Sequence, residues 1–92
     1  MIKSFKCRDT QLLFETGETH RWSSCQSVAE RKLAMLDAAQ SLAFLRSPPG
    51  NRLEALRGDR AGQHSIRIND QWRLCFVWTA DGPEHVEIVD YH

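Results

Sequence analysis

The chain has 92 residues, and its twelve basic and twelve acidic side chains balance to a formal charge of zero. That length makes one domain over residues 1–92, and the neutral total argues against a protein that coats duplex nucleic acid by charge alone. No apolar run can span a bilayer and the opening MIKSFKCRDT has no signal-peptide pattern, so a cytoplasmic protein without membrane contact is expected.

In chain order, residues 1–7 read as a short strand with Ile2 and Phe5 apolar. Asp9 is placed to cap a brief helix over TQLLFET, and Gly17 suits its C-terminal stop. GETHRWSSCQ is a polar connection. Ser27 followed by Glu30 is a capping box. It predicts a helix over 28–45, with Ala29, Leu33, Leu36, Ala39 and Leu42 recurring at spacings of three and four. SPPG then breaks the helix. NRLEALRGDRAG is a linking stretch anchored by Leu53 and Leu56.

Beyond it the period changes to two. HSIRI puts Ile66 and Ile68 on one face, and NDQ is turn chemistry. WRLCFVW puts Trp72, Leu74, Phe76 and Trp78 on one face, with Arg73, Cys75 and Val77 on the other. TADGPE is a second turn and HVEIVDYH the closing strand. The expected fold is α+β: a short N-terminal strand, then one or two helices packed on an antiparallel sheet that ends in a three-stranded meander. A domain this small favours an open groove over an enclosed site.

The zero net charge hides an asymmetry. Residues 46–73 hold Arg46, Arg52, Arg57, Arg60, Arg67 and Arg73 against Glu54, Asp59 and Asp70. From residue 74 onward there are four acids and no lysine or arginine. Guanidinium forks suit phosphate. Arg67 and Arg73 alternate with apolar neighbours, so both point away from the core. Each then meets either an internal acid such as Asp90 or Glu87, or a phosphate ligand.

The closing strand ends on Asp90, Tyr91 and His92, three side chains able to orient or move protons. The three cysteines form no C-x-x-C pair, and the four histidines lack metal-ligand spacing, so no metal or other cofactor is expected. Motifs for serine hydrolysis, P-loop and H-E-x-x-H chemistry are missing. Arginines beside a proton-transfer cluster suit metal-independent RNA cleavage, in which the ribose 2′-OH attacks the adjacent phosphorus.

MIKSF, LEALRGDRAGQHSIRINDQWRLCF and the final DYH resemble the HigB/GraT type of the RelE/ParE toxin superfamily, over essentially the whole chain. The resemblance implies a RelE-like fold and a toxin of a type II toxin–antitoxin system. It further implies ribosome-dependent mRNA cleavage in the decoding site, and a HigA-type helix-turn-helix antitoxin through which alone DNA is contacted. Carried over by position, it makes Arg73, Asp90, Tyr91 and His92 catalytic and places Arg57 where relatives carry a basic residue facing RNA. Beside these, Arg60, Arg67 and Gln71 are expected to contact RNA or phosphate, and Glu54 and His64 to line the site or move protons. A relative carries histidine where this chain has Glu54, and asparagine where it has Gln71. Two other readings carry different expectations: a ParE-like toxin that binds DNA gyrase without cutting RNA, and a non-catalytic RNA-binding module.

Overall fold

The alternation of the last third of the chain builds the sheet on which everything else rests. In the computed structural model, which describes residues 1–90, β1 (Glu54–Ala55), β2 (His64–Arg67), β3 (Trp72–Thr79) and β4 (Gly82–Asp90) pair antiparallel in chain order. The β2–β3 turn is closed by Asn69, whose Oδ1 accepts from the N–H groups of Gln71 at 2.9 Å and Trp72 at 2.8 Å. At the β3–β4 turn, Thr79 Oγ1 donates to the Gly82 carbonyl at 2.7 Å and accepts from the Asp81 N–H at 3.2 Å. These are the turn chemistries that Asn, Asp and Thr supply through their own side chains. A bulge shifts the β3–β4 register between Cys75 and Val77.

Both ends of the sheet depart from the expectation. β1 lies in the stretch read as a linker, and its two residues pair with Ser65 and His64. The expected N-terminal strand is reduced to one parallel bridge, Phe5 to Val86. Still, the Lys3 and Lys6 N–H groups donate to the Pro83 and Val86 carbonyls at 2.8 and 3.0 Å, which covers the outer edge of β4. Position 82 must be glycine for this docking: its φ is +131°, and a Cβ there would collide with the Met1 carbonyl.

Two helices cover one face. α1 (Arg8–Thr16) stops at Gly17, which adopts the left-handed conformation at φ 77°. Its N-cap is Cys7, and Asp9 sits in the first turn without capping through its side chain. α2 (Gln26–Ala38) is shorter than expected at its C-terminal end. It grows directly out of a 3-10 turn at Ser23–Cys25, so Ser27 lies inside the helix and the capping box does not form. It ends because Ala39 turns extended, and Ser41 then starts a separate 3-10 turn, Leu42–Arg46, with its Oγ accepting from the Phe44 N–H. Leaving the helix axis lets Ala39 and Leu45 both reach the core.

Asn51 pins the segment that follows. Its Nδ2 donates to the Leu45 and Ser47 carbonyls at 3.1 and 3.3 Å, while its Oδ1 accepts from the buried Lys32 Nζ. Burial lowers the Lys32 pKa, and the nearby Arg31 and Arg67 charges lower it further.

The core lies between the helices and the face predicted for it. Leu13, Trp22, Leu33, Leu36, Leu45, Ile66, Leu74, Phe76, Val86 and Ile88 are buried together, with Trp72 and Trp78 packed against them. Trp22 meets Trp72 edge-on, the ring centroids 6.0 Å apart. Thr10, buried on α1, accepts the Ile88 N–H at 3.1 Å and so satisfies β4 where the N-terminal segment no longer reaches. No helix among the described residues is long and apolar enough to cross a membrane.

Candidate active site

The second face of the sheet carries the polar side chains. Cross-strand partners share a face, and the register pairs Arg67 with Arg73, Ser65 with Cys75, Arg73 with Val89, and Cys75 with Glu87. Glu54 stands opposite Ser65 and belongs to the same face. The two hairpin arginines are therefore neighbours opposite the core, as their alternation requires.

Arg73 is only 8% exposed. Its Nε donates to Ser65 Oγ at 2.8 Å, and its Nη2 to the Arg52 carbonyl at 2.6 Å and the Ser65 carbonyl at 3.4 Å. Arg52 offers that carbonyl from a left-handed backbone conformation at φ 46°, which is unusual for a residue other than glycine. All three acceptors are neutral. Among the described residues Arg73 forms no ion pair, and its Nη1 takes part in no hydrogen bond. Of the two internal acids considered for it, Glu87 shares its face but is held by Lys6 and Arg60, and Asp90 accepts from Gln71.

The other arginines divide by how tightly the protein holds them. Arg67 is paired with Asp70 at the exposed hairpin turn. Arg60 is half-buried, donating to Gln63 Oε1 at 3.2 Å and to Glu87 at 3.4 Å, so its charge is already shared with a carboxylate. Lys6 adds a second cation to Glu87 at 3.5 Å. Beneath this cluster lies Cys75, fully buried, whose thiol is pushed up to about 11, chiefly by desolvation. That makes it an inert thiol at neutral pH. Arg57 is exposed at the start of the 3-10 turn Gly58–Arg60 and has no ion pair among the described residues.

Three further candidates sit apart from Arg73. Asp90 pairs in register with Trp72, which assigns it to the core side of the sheet end, and its Oδ2 accepts from Gln71 Nε2 at 3.0 Å. Gln71 thereby ties the hairpin turn to the end of β4. His64 faces the helices, its ring stacked on Phe76 at 6.3 Å. It borders a depression of about 240 Å³ with Leu42, Ala43, Arg46, Leu53 and Ala55. Tyr91 and His92 lie outside the described residues. Among the described residues no group of His, Cys, Asp and Glu side chains converges as a metal centre requires.

Sequence reasoning passed over Ser65 and the Arg52 carbonyl, the two groups that hold Arg73. Ser65 was within reach: period two places it beside Arg67, and the hairpin register sets it diagonal to Arg73. The carbonyl carried no signal in any side chain.

Residues 3–92 match the family described as the RelE-like toxins of type II toxin–antitoxin systems, HigB. The chain belongs to this HigB-like toxin family. It is 43% identical over 94 aligned residues to Toxin HigB-1 of Vibrio cholerae, covering 100% of this chain and 98% of that one. It is 34% identical to Endoribonuclease HigB of Proteus vulgaris, covering 100% of both chains. An uncharacterized protein of Haemophilus influenzae is 40% identical over 81 residues, 84% of this chain and 80% of that one. As a HigB-like type II toxin, the protein has an antitoxin as its partner.

Proposed function

We propose that this HigB-like toxin is an endoribonuclease that cuts mRNA on the ribosome, and that Arg73 binds and stabilises the scissile phosphate. The observation that carries the reading is a buried guanidinium that, among the described residues, is held only by neutral acceptors, on the polar face of the sheet. A relative aligned over the whole of both chains bears the name Endoribonuclease HigB.

In the reaction, the ribose 2′-oxygen attacks the adjacent phosphorus and the P–O5′ bond breaks. The products are a 2′,3′-cyclic phosphate and a 5′-hydroxyl. One group takes the 2′-proton and another gives a proton to the leaving 5′-oxygen. His92 serves in proton transfer, Tyr91 stacks on or orients the nucleotide, and Asp90, tied to Gln71, supports the cluster. Glu54, the exposed neighbour of Ser65, is a second candidate base. Arg73 meets the charge that grows on the phosphoryl oxygens. Arg57, without an ion pair among the described residues, contacts a flanking phosphate. Arg67 and Arg60 contribute less, because Asp70 and Glu87 already engage them.

A sheet face without deep walls has little surface with which to fix a flexible strand, and the ribosome supplies that orientation. The antitoxin is a HigA-type helix-turn-helix protein, and toxin and ribosome meet in the cytoplasm.

The test is to map mRNA 5′ ends after induction of wild type and Arg73→Ala. Codon-phased cuts are expected for wild type, falling roughly 10²–10³-fold in the variant. Unimpaired cutting by Arg73→Ala would remove Arg73 from the reaction. Growth arrest with intact mRNA and early DNA damage would point instead to gyrase.

A further inference from the structure

Ser65 is a buried serine in the middle of a strand, and it touches no substrate in the scheme above. Its Oγ accepts from Arg73 Nε at 2.8 Å, and its carbonyl accepts from Nη2 at 3.4 Å. The Arg52 carbonyl takes Nη2 from the other side at 2.6 Å. Guanidinium is planar and carries five N–H donors in a fixed fork. Fixing Nε and Nη2 therefore fixes the position of Nη1 as well.

We infer that Ser65 and the backbone carbonyl of Arg52 form a cradle that positions Arg73 so that Nη1 alone is presented to the phosphate. This rests on the ribonuclease reading and deepens it. Neutral acceptors hold the guanidinium without cancelling its charge. A carboxylate in the place of Ser65 would hold it as firmly but leave little field for a phosphoryl oxygen. Burial, which leaves Arg73 only 8% exposed, also restricts the side chain from swinging to follow a misplaced phosphate. The left-handed backbone at Arg52 fits the same reading, because it turns a carbonyl inward at a residue whose own side chain is exposed. Arg52 thus acts through its peptide group, not through the charge that drew attention to it in the sequence.

The cradle predicts a particular pattern of losses in single-turnover cleavage on programmed ribosomes, using toxin freed of antitoxin. Ser65→Ala lowers kcat about 10–100-fold, the range expected when a catalytic group is displaced by about 1 Å, with KM changed less than about threefold. Ser65→Thr, which keeps the hydroxyl, recovers most of kcat. Arg73→Lys keeps the charge without the fork and falls within about tenfold of Arg73→Ala. In the Arg73→Lys background, Ser65→Ala costs less than about twofold more, because Ser65 acts only through the guanidinium. A Ser65→Ala loss confined to KM, or one that adds fully to Arg73→Lys, overturns the inference. If Ser65→Ala melts below the assay temperature, Arg73→Lys alone decides, and activity above a third of wild type rejects the cradle.

An NMR readout separates this inference from the reading it rests on. In free wild-type toxin, the Arg73 Nε–H resonance should exchange slowly with water, and the Ser65→Ala change should abolish that protection. Protection without any RNA cleavage retires the ribonuclease reading and leaves the cradle standing. Cleavage without protection does the reverse.

Discussion

Asn51→Ala tests the pin that holds the loop leading to the Arg52 carbonyl and Arg73. Asn51 is fully buried and joins α2 to residues 45–51 through Lys32, Leu45 and Ser47. Truncation removes one charge-assisted hydrogen bond, worth about 1.5–3 kcal/mol, two neutral ones to carbonyls, worth about 1 kcal/mol each, and a weak contact to Met35 Sδ. It also leaves the Lys32 ammonium buried without its acceptor. A loss of about 3–5 kcal/mol is expected, a large share of the ~5–15 kcal/mol that holds a domain together. For a chain of this size that lowers Tm by at least about 12 °C. The assay is thermal and urea unfolding followed by circular dichroism. Adding Lys32→Met to Asn51→Ala should restore roughly 1.5–3 kcal/mol, since an apolar side chain needs no acceptor. Because Asn51 precedes the residue whose carbonyl holds Arg73, cleavage should also weaken at temperatures where the variant stays folded. A Tm within about 3 °C of wild type, or no recovery in the double variant, would refute the argument.

Two other outcomes are expected. Thr10→Val keeps the shape but leaves the buried Ile88 N–H unpaired, and should cost about 1–3 kcal/mol in the urea midpoint and speed hydrogen exchange at Ile88; unchanged exchange would show that Thr10 does not guard β4. Cys75 holds its proton to about 11 in the fold, against 9.0 for an ordinary thiol, so its contribution is fully present below pH 9.0 and is lost as pH rises toward about 11. Two pH units correspond to about 2.7 kcal/mol. The stability of wild type should fall more steeply over that window than that of Cys75→Ala, and parallel curves would contradict the assignment.

Local chemistry determined much of this protein. Period two in HSIRI and WRLCFVW set which side chains face the core, and Asn69 set the hairpin. From these alone Arg67 and Arg73 follow as neighbours on the opposite face. The longest family motif, LEALRGDRAGQHSIRINDQWRLCF, runs through the same segments, which is why the toxin class was legible from the sequence. Tertiary structure decided the rest, because it turns on contacts between residues far apart in the chain. α2 stops at Ala38 although the apolar spacing continues, since Ala39 and Leu45 gain more burial off the helix axis. A two-residue strand leaves almost no periodicity, so β1 emerged only through pairing with β2. Asp90 lies across the sheet from Arg73 because register, not proximity in sequence, assigns faces. The sharpest case is Arg73 itself. Its residue type and direction were evident in the sequence, but what holds it in place is a serine on the neighbouring strand and a peptide carbonyl 21 residues away, and no side-chain pattern encodes a carbonyl.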